Sequence, residues 1–473
     1  MKIIEIVKRR IPQIFVAVSV STVYLVTGLC IGWMAPILPR LMSQDSHIPL
    51  TADESSWIVA IQSVGCVAGA ILLPILTKTL GRKRIMIITI IIHIVSWLVI
   101  IFADTIEGLY VARFLFGIST ILTFAIVPIY LTEISEVSIR GILSSLPQFF
   151  YNIGAIIEYC IIPYISYTLV GIISIIFPII SFFLLIFVPE SPYFLIYTGK
   201  EAEAERSLMK LRGQNEVQKI QEELSTIKGA AEESKNVKAA PIKDVFVIRG
   251  NRRGFIIVIV LVGLQQFSGE LAVMSYTTQI FENSSTSLNA DMSVIILGIV
   301  QMLASAASSS IVDRIGRRPL LITSTSGLSL SCLSMGIYFY LENNTSYDLS
   351  PVFWLPVTSL IVYQSSFCIA LGILPYTILG EVIPINVKGV TSFVAFMILS
   401  AAGILITKLF QIMTDGIGPD SPFWLFLAFN VAGAIFIYWY LPETMGKTFT
   451  EIYQELNEDT FPRRSRKPSE IPR

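Results

Sequence analysis

The chain has 473 residues, of which 53% are hydrophobic and 14% are charged, with a formal net charge of zero and a mean hydropathy of +0.70. A soluble globular chain has about 45–50% apolar and about 25% charged residues. The composition therefore excludes an ordinary soluble domain, whereas a net charge of zero excludes nothing by itself.

The apolar residues come in long runs, each close to the roughly 20 residues that cross a bilayer as a helix. We predict an all-α membrane protein with twelve transmembrane helices. The first span lacks a small-residue cleavage site after its apolar run, which indicates a retained helix rather than a signal peptide. The predicted spans are 11–33, 56–77, 85–103, 106–130, 143–163, 167–188, 254–277, 291–312, 319–340, 353–379, 389–411 and 422–441.

A charged stretch that is rich in helix-forming residues divides the spans into two groups of six. It includes KEAEAERSLMKLRG and KIQEELSTIKGAAEESKNVK, and we predict that it lies in the cytoplasm and forms short helices. The predicted domains are a six-helix bundle at 1–190, the cytoplasmic linker at 191–253, a second six-helix bundle at 254–445 and a cytoplasmic tail at 446–473.

The distribution of Lys and Arg predicts which side of the membrane each loop occupies. Basic residues cluster in the N-terminal segment, GRKR, the central linker, DRIGRR and the tail RRSRK, whereas the opposite loops hold little more than Arg40. Both termini are therefore predicted to be cytoplasmic. The glycosylation sequons at Asn283, Asn343 and Asn344 fall in loops that this topology places outside.

Three motifs of the first half return in the second half in the same order. PIYLTEISEVSIRG returns as PYTILGEVIPINVKG, LGRKR as IGRRP, and VPESP as LPETMGK. Parallel repeats of this kind are typical of transporters with a central site at the repeat interface. The twelve predicted helices therefore form two six-helix pseudo-repeats.

The repeated motifs place basic turns and acidic side chains at the predicted cytoplasmic face, where they can form ion pairs. If the pairs form only when the cavity opens outward, they act as a releasable latch between two conformations. The alternative is an ordinary positively charged flank. The predicted latch residues are Arg82, Arg84, Glu133, Arg140, Glu190, Asp313, Arg317, Arg318, Glu381, Lys388 and Glu443.

The motif set resembles the sugar-porter branch of the major facilitator superfamily over essentially the whole chain. The motifs that carry the resemblance are RFLFG, PIYLTEISEVSIRG, VPESP, QQFSG, DRIGRRP, the PY pair at Pro375 and LPETMGKT. DESSW before the second span resembles the insect facilitated trehalose and hexose carriers more than the mammalian glucose carriers. The resemblance implies a plasma-membrane transporter that works by alternating access, without a cofactor or covalent chemistry, and not an enzyme.

One of the repeated turns departs from the family pattern. Lys78 stands where the family has an Asp before the first basic turn, whereas the second half keeps its acid as Asp313. We therefore expect the latch to be weaker on the N-terminal side.

Amide side chains in the spans are candidates for binding a polyol, because each amide carries both a donor and an acceptor. Gln148 stands where sugar porters place a substrate-contacting glutamine, and Asn152 lies one helical turn later on the same face. The alternative is that these two amides join neighbouring helices. The resemblance also implies that Gln265 and Gln266 bind sugar hydroxyls from a seventh helix that is broken at Gly269.

Three further residues align with substrate-contacting positions of the family. Tyr276 matches the aromatic gate on the outer side, Gln301 replaces an asparagine, and Tyr376 replaces a tryptophan. The exchanges at Gln301 and Tyr376 retain an amide and an aromatic ring. By contrast, Leu399 and Ser400 replace an Asn-Trp pair of the family and Cys368 replaces an acid, and these losses weaken the expectation of ordinary sugar specificity.

Two acidic residues lie within the predicted spans, where ionisable residues are functional candidates by default. Glu270 and Leu271 stand where the family reads Ile-Asn, so a sugar-binding asparagine is lost beside a new carboxyl group. Glu270 is a candidate substrate contact, proton site or half of an ion pair. Glu158 lies about 15 Å along the helix from Gln148, and we expect it to reach the outer water.

The sequence thus predicts a facilitative transporter, or uniporter, of a sugar such as trehalose or a hexose. The alternative is a proton-coupled carrier or one of altered specificity, suggested by Glu270 and Glu158, although the first span, with VTGLCIGWMAP, lacks the acid of proton-coupled sugar porters. A non-transporting solute sensor is a further alternative without a supporting long tail or enlarged loop. The expected partners are a small polar solute and the lipid bilayer, with no metal, nucleic acid or obligate protein partner.

Overall fold

The structure is a computed structural model that describes residues 2–136, 139–213, 217–236, 242–282, 289–345 and 348–458. The predicted sequon at Asn283 and the end of the predicted tail lie outside the described residues. Within the described ranges, the side chains of residues 2–10, 217–219, 230, 233–236, 242, 309–310, 313, 350 and 385 are not described.

The chain divides into two compact units. The first unit comprises residues 1–238 together with 274–280 and 288–302, and the second comprises 239–273, 281–287 and 303–473. Short stretches of the predicted seventh and eighth spans are thus grouped with the N-terminal half. Each unit is helical in its described part.

The first eleven helices belong to the first unit, and a 3-10 turn at Ile162–Tyr164 separates the sixth from the seventh. They are α1 (Lys2–Gly32), α2 (Met34–Met42), α3 (Ala52–Thr79), α4 (Arg82–Phe102), α5 (Ile106–Ile134), α6 (Arg140–Ile161), α7 (Tyr167–Ser174), α8 (Ile176–Phe187), α9 (Pro192–Tyr197), α10 (Glu201–Arg212) and α11 (Val217–Asn236).

The remaining helices begin inside the predicted linker with α12, and they include a 3-10 turn at Ser350–Val352 and a π-helix at Phe367–Leu371. They are α12 (Ile242–Val247), α13 (Arg249–Phe267), α14 (Glu270–Glu282), α15 (Ala290–Ile315), α16 (Arg317–Asn344), α17 (Leu355–Ser366), α18 (Leu374–Val382), α19 (Ile385–Gly416), α20 (Ser421–Tyr440) and α21 (Phe449–Asn457).

Eleven helical stretches of the described chain are long and apolar enough to cross a membrane. They correspond to all the predicted spans except the fifth, which is α6. The sequence of α6, RGILSSLPQFFYNIGAIIEYCI, contains polar and charged residues that lower its mean hydropathy. For this reason α6 is not among the eleven. With α6 included, the helices account for the twelve predicted spans in order. Several helices also extend beyond the predicted edges, because an apolar run marks the hydrocarbon thickness and not the helix ends.

Close backbone packing holds α6 against α1. A Cβ atom placed on Gly32 of α1 would lie 2.6 Å from the Cα atom of Ala155, and one on Gly154 of α6 would lie 2.8 Å from the Leu29 nitrogen. Small residues allow this approach, as is usual at helix interfaces in membranes. The result is that α1 fixes the position of the helix that carries Gln148 and Asn152.

The helices of the predicted linker build a small core of their own within the first unit. Its buried side chains are Leu195, Ile196, Ala204, Leu208, Ile220, Leu224 and Ile227. Arg212 joins this helical group to the end of α5, because its Nη1 donates to the Ile134 carbonyl at 2.9 Å. The same guanidinium pairs with Glu223 on α11.

Candidate solute-binding positions and inner ion-pair clusters

The amides predicted on α6 differ in their surroundings. Asn152 is only 1% exposed, and neither its Nδ2 nor its Oδ1 has a hydrogen-bond partner among the described residues. Gln148, one turn earlier, is half-buried. A buried amide without a partner costs about 1–3 kcal/mol. In this conformation Asn152 forms no hydrogen bond to a neighbouring helix among the described residues, and its role as a solute contact stays a prediction.

A buried cation that received no role in the sequence prediction lies in the same unit. Arg113, from the motif RFLFG, is 2% exposed. Its Nε donates to the Ile58 carbonyl and its Nη1 to the Cys30 carbonyl, both at 3.2 Å. These two carbonyls tie α5 to α3 and α1. The motif was visible in the sequence, but the acceptors are backbone carbonyls, and every residue has one. The sequence therefore does not indicate which carbonyls bind Arg113.

The expectation that Glu158 reaches the outer water is wrong. Its side chain is 0% exposed, and its Oε1 accepts a hydrogen bond of 2.5 Å from the Ser174 hydroxyl. Packing of α6 against α7 covers the carboxyl group, although the residue lies near the end of its helix. Distance along a helix does not reveal which neighbouring helix covers a side chain.

In the second unit, the predicted break of the seventh helix at Gly269 is confirmed. α13 ends at Phe267, α14 begins at Glu270, and Gly269 has φ +98°. A Cβ atom at this position would overlap the ring of Phe426. The freed carbonyl of Ser268 accepts a hydrogen bond of 3.0 Å from the Tyr363 hydroxyl, so the break is supported by a side chain from α17.

A second irregular helix is joined by a hydrogen bond to a residue just before this break. The π-helix Phe367–Leu371 ends at Gly372, whose carbonyl accepts a 3.0 Å hydrogen bond from the Gln265 amide. The Oε1 atoms of Gln265 and Gln266 are buried and have no hydrogen-bond partner among the described residues. π-helical turns are frequent at functional sites. The two glutamines thus keep acceptor capacity that a solute hydroxyl could use.

Glu270, the first residue after the break, is half-buried. No described side chain forms an ion pair or hydrogen bond with it, although it lies within electrostatic range of Tyr363 and Cys368. The Cys368 sulfur contacts the Gln364 amide at 3.5 Å. The described groups that interact electrostatically with this carboxyl group therefore come from α17 and the π-helix.

The eight predicted solute contacts are divided between the two units. Tyr276 and Gln301 are buried, and Tyr376 is partly exposed and stacks on Phe396 with ring centroids 6.2 Å apart. Gln148, Asn152, Tyr276 and Gln301 belong to the first unit, and Gln265, Gln266, Glu270 and Tyr376 to the second. Their roles as solute contacts stay predictions.

The latch residues of the first unit form an ion pair next to a helix cap. Arg82 Nη2 lies 2.9 Å from Glu133 Oε1. Glu190 Oε1 accepts from the backbone N–H groups of Arg82 and Lys83, each at 3.0 Å, and so caps the N-terminus of α4. The hydroxyl of Ser191 donates to Glu133. Ser191 was missed by the prediction, although it directly follows Glu190 in VPESP.

The second unit repeats this arrangement. Arg317 Nη2 lies 3.2 Å from Glu381 Oε1. Glu443 caps α16 by accepting from the backbone N–H groups of Arg317 at 3.0 Å and Arg318 at 3.1 Å. Each ion pair joins helices of a single unit. Whether the pairs release during a transport cycle stays a prediction.

The other predicted latch residues are placed at the rims of these clusters. Arg84 is exposed. Arg140 donates to the Ser135 carbonyl at 3.5 Å, and Lys388 to the Gly380 carbonyl at 3.4 Å. The side chain of Asp313 lies outside the described residues.

The sequons at Asn343 and Asn344 occupy the end of α16, and both side chains are exposed. Their amides donate to the carbonyls of Phe339 at 3.0 Å and Tyr340 at 3.2 Å. In the part of the chain that the structure describes, no group of three or more His, Cys, Asp or Glu side chains could hold a metal ion.

Comparison with known proteins connects this geometry to a family. A family model described as "Sugar (and other) transporter" matches residues 14–456. The chain is similar to the facilitated trehalose transporter Tret1 of Polypedilum vanderplanki, with 30% identity over 94% of this chain and 88% of that protein. It is also 29% identical to the Tret1 protein of Aedes aegypti, over 94% of this chain but only 55% of that longer protein.

Among solved structures, the inward-open conformation of the xylose transporter XylE from E. coli has a TM-score of 0.78 with 20% identity, over 93% of this chain and 99% of that one. The proton:xylose symporter XylE bound to 6-bromo-6-deoxy-D-glucose has a TM-score of 0.73 with 22% identity over 93% of this chain and 99% of that one. At this level of identity the likeness establishes the fold alone.

Proposed function

The chain belongs to the sugar transporter family, and from this membership we propose that it carries a sugar, trehalose or a hexose, down its gradient as a facilitative transporter. The observation that carries the proposal is the family match over residues 14–456. The relatives named facilitated trehalose transporters, which align with 94% of the chain, support it. The eleven apolar helices and the family match support a multi-pass membrane protein. The family match and the transporter relatives support a carrier and not an enzyme.

We further propose that the transporter lies in the plasma membrane with both termini in the cytoplasm. The basic residues of GRKR, the linker and DRIGRR support this orientation. Alternating access would then expose one solute site to each side in turn. The ion pairs Arg82–Glu133 and Arg317–Glu381 are the proposed inner latch.

In each unit, amides are the proposed contacts for sugar hydroxyls. In the first unit, Asn152 has neither a hydrogen-bond donor nor an acceptor among the described residues, and in the second unit the Oε1 atoms of Gln265 and Gln266 have no described donor. Glu270 follows these two glutamines at the break of the seventh helix and can accept from further hydroxyls. Tyr376 supplies an aromatic face on which an apolar sugar face can stack.

Transport in proteoliposomes tests the function directly. Labelled trehalose, glucose, an amino acid and a monovalent cation are offered separately to purified protein. Saturable flux of a sugar that equilibrates without accumulation, in both directions and with a proton gradient collapsed, is the expected result. Sugar accumulation that disappears with a protonophore would reject uniport, and transport of the amino acid or cation alone would reject the sugar assignment.

Substitution of single amides tests the solute contacts. Gln148→Ala and Gln266→Ala each remove one proposed hydrogen-bonding group, so the KM for the sugar should rise about tenfold, which corresponds to roughly 1.4 kcal/mol. Gln221→Ala removes an exposed amide from α11 and is the matched control, with an unchanged KM. Wild-type kinetics for both site variants, at normal surface expression, would contradict the assignment.

Glu270 distinguishes a neutral hydrogen-bonding role from proton coupling. If the carboxyl group only accepts hydrogen bonds from solute hydroxyls, Glu270→Gln keeps transport with a KM within about threefold of wild type. Glu270→Ala should then raise the KM further. If Glu270 couples protons to solute, Glu270→Gln abolishes accumulation while exchange persists. If both variants transport like wild type, the glutamate plays neither part.

Proton coupling remains the second candidate function because of two observations. Glu270 and Glu158 are acidic residues within the spans that have no ion-pair partner among the described residues. The fold is shared with a protein named as a proton:xylose symporter. The accumulation assay separates this candidate from uniport.

A further inference from the structure

Glu158 on α6 is a buried acid that the proposed solute site does not use. Its side chain is 0% exposed, and Oε1 accepts the 2.5 Å hydrogen bond from Ser174 on α7. Its second oxygen, Oε2, is buried and has no hydrogen-bond partner among the described residues. One hydrogen bond leaves most of the acceptor capacity of a carboxylate unused, which is costly away from water.

No described cation compensates this carboxyl group. Arg113 on α5 is bound to the carbonyls of Ile58 and Cys30, and Arg40 on α2 to those of Ile165 and Pro163. The described acids of α5, which also packs against α6, are Glu107 and Glu133 at the two ends of that helix. The remaining ionisable side chains near Glu158, on α6 and on the elements packed against it, are neutral in their ordinary state. They are Cys30 on α1, Tyr164 in the 3-10 turn, Tyr167 on α7, and Tyr159 and Cys160 on α6.

The oxygen atoms at this place suit a proton better than a metal ion. A hard cation takes several oxygen ligands, about six to eight in the case of Ca²⁺. Among the described residues, the Ser174 hydroxyl is the one group that is hydrogen-bonded to the two carboxyl oxygens. A proton needs only one of the carboxyl oxygens, and its binding removes the buried charge.

We propose that Glu158, held by Ser174, is a proton-binding site inside the first unit, and that the transporter works with this site occupied. The proposal goes beyond facilitative sugar transport and uses that function only as one readout. In a uniporter the proton stays bound to Glu158 throughout the transport cycle. The fraction of protonated protein then determines the rate of sugar flux, and the proton gradient does not drive accumulation of the sugar. The site therefore predicts a pH-dependent flux that equilibrates the solute.

The position of Glu158 explains how its charge would reach the solute site. α6 also carries Asn152, six residues earlier, and lies in backbone contact with α1 at Gly32. Ionisation of Glu158 would require water to enter between α6 and α7. Any resulting shift of α6 displaces Asn152 and strains the close contact with α1, so the flux should fall.

The first experiment measures sugar flux in proteoliposomes with equal pH on both sides, from pH 6 to pH 10. The wild-type flux should fall at alkaline pH, by about tenfold per pH unit above the midpoint of ionisation. Glu158→Gln, which cannot ionise, should remove this fall relative to its own flux at neutral pH. Glu107→Gln, an exposed acid of the same unit, is the matched control and should keep the wild-type profile. A Glu158→Gln profile equal to that of wild type would overturn the proposal.

The second experiment needs no variant and no transport. A hydrophobic carbodiimide reacts with buried protonated carboxyl groups, and mass spectrometry locates the labelled peptide. Labelling of Glu158 in wild-type protein at neutral pH, with loss at alkaline pH, is the expected result. Absence of labelling at Glu158 at every pH, in protein that is labelled elsewhere, would contradict a protonated Glu158, and protection by Na⁺ would identify the ligand as a metal ion.

The two experiments also separate this proposal from the proposed function. Sugar accumulation driven by a proton gradient would reject uniport, yet Glu158 could still bind the proton, and the Glu158→Gln profile would decide that. Conversely, pH-independent equilibrating flux would leave facilitative transport intact and remove the role of Glu158.

Discussion

In the first unit, the ion pair between Arg82 and Glu133 is completed by the hydroxyl of Ser191, which donates to the same glutamate. In the second unit, Thr444 occupies the corresponding position of the repeated motif, but its buried Oγ1 makes no hydrogen bond to a described residue. Oε2 of Glu381 is likewise buried without a hydrogen-bond partner among the described residues. Among the described residues, therefore, the hydroxyl forms a hydrogen bond to its glutamate in the first of the two inner clusters and forms none in the second.

The helix caps beside these ion pairs do not differ in this way. Gly81 and Gly316 have φ +77° and +99°, and each turn directs two backbone N–H groups onto one glutamate. A cap of this kind needs only a glycine turn and a carboxylate. The hydrogen bond from Ser191 to Glu133 depends in addition on the orientation of a hydroxyl. The second unit therefore repeats the helix cap, but among the described residues it does not repeat this hydrogen bond.

This difference runs opposite to the expected asymmetry of the latch. The expectation of a weaker N-terminal side depended on Lys78, which is exposed, and on Asp313, whose side chain lies outside the described residues. That expectation stays a prediction. Among the described side chains, the cluster with the additional hydrogen bond is the N-terminal one.

The largest expected effect comes from removing the arginine of each cluster. Arg82→Met leaves Glu133 without its cation and should lower the free energy of local opening by about 3 kcal/mol. Arg317→Met should cost less, about 2 kcal/mol, because the Glu381 side chain is 26% exposed and that of Glu133 only 14%. Hydrogen exchange at the N-termini of α4 and α16 in detergent measures both values. Arg84→Met is the exposed control, and a larger loss for Arg317→Met would contradict the comparison.

Neutralising the two capping glutamates should have a smaller and nearly equal effect. Glu190→Gln and Glu443→Gln each keep an acceptor but lose the charge that interacts with the helix N-terminus, at a cost of about 1 kcal/mol. Amide exchange of Arg82 and Lys83 in one variant, and of Arg317 and Arg318 in the other, gives the measurement. Losses that differ by more than about twofold would show that the caps are not equivalent.

A comparison of the two hydroxyls gives the sharpest test of the asymmetry. Ser191→Ala removes the hydrogen bond to Glu133 and the side-chain cap of α9, where the Phe194 N–H donates to the same hydroxyl, and should lower the same local free energy by about 1 kcal/mol. Thr444→Val removes a hydroxyl that has no described partner, so the expected change is near zero. Equal losses at the two positions would mean that both hydroxyls are engaged and that the clusters are equivalent.

Other features differ in how well the sequence predicted them. The break at Gly269 was predicted from the family resemblance, and the glycine after QQFS fits it because glycine permits unusual backbone angles. The burial of Glu158 was not, because it depends on α7 covering one side of α6. The capping role of Glu190 and the hydrogen bond from Ser191 were also hidden, since Glu190 is far in the chain from Arg82, and Ser191 is far from Glu133.

The sequence by itself determined the twelve spans, the internal repeat, the family and the residues that interrupt the apolar runs. These properties depend on composition and local periodicity, because a backbone in hydrocarbon must satisfy its polar groups within the chain, and long apolar helices do this. Only the tertiary structure decided which polar groups find partners: Asn152 and the acceptor atoms of Gln265 and Gln266 are left open, while Arg113 is satisfied by carbonyls. The physical reason is that a hydrogen bond in a packed bundle needs an atom from another helix within about 3 Å, and helix packing sets that distance.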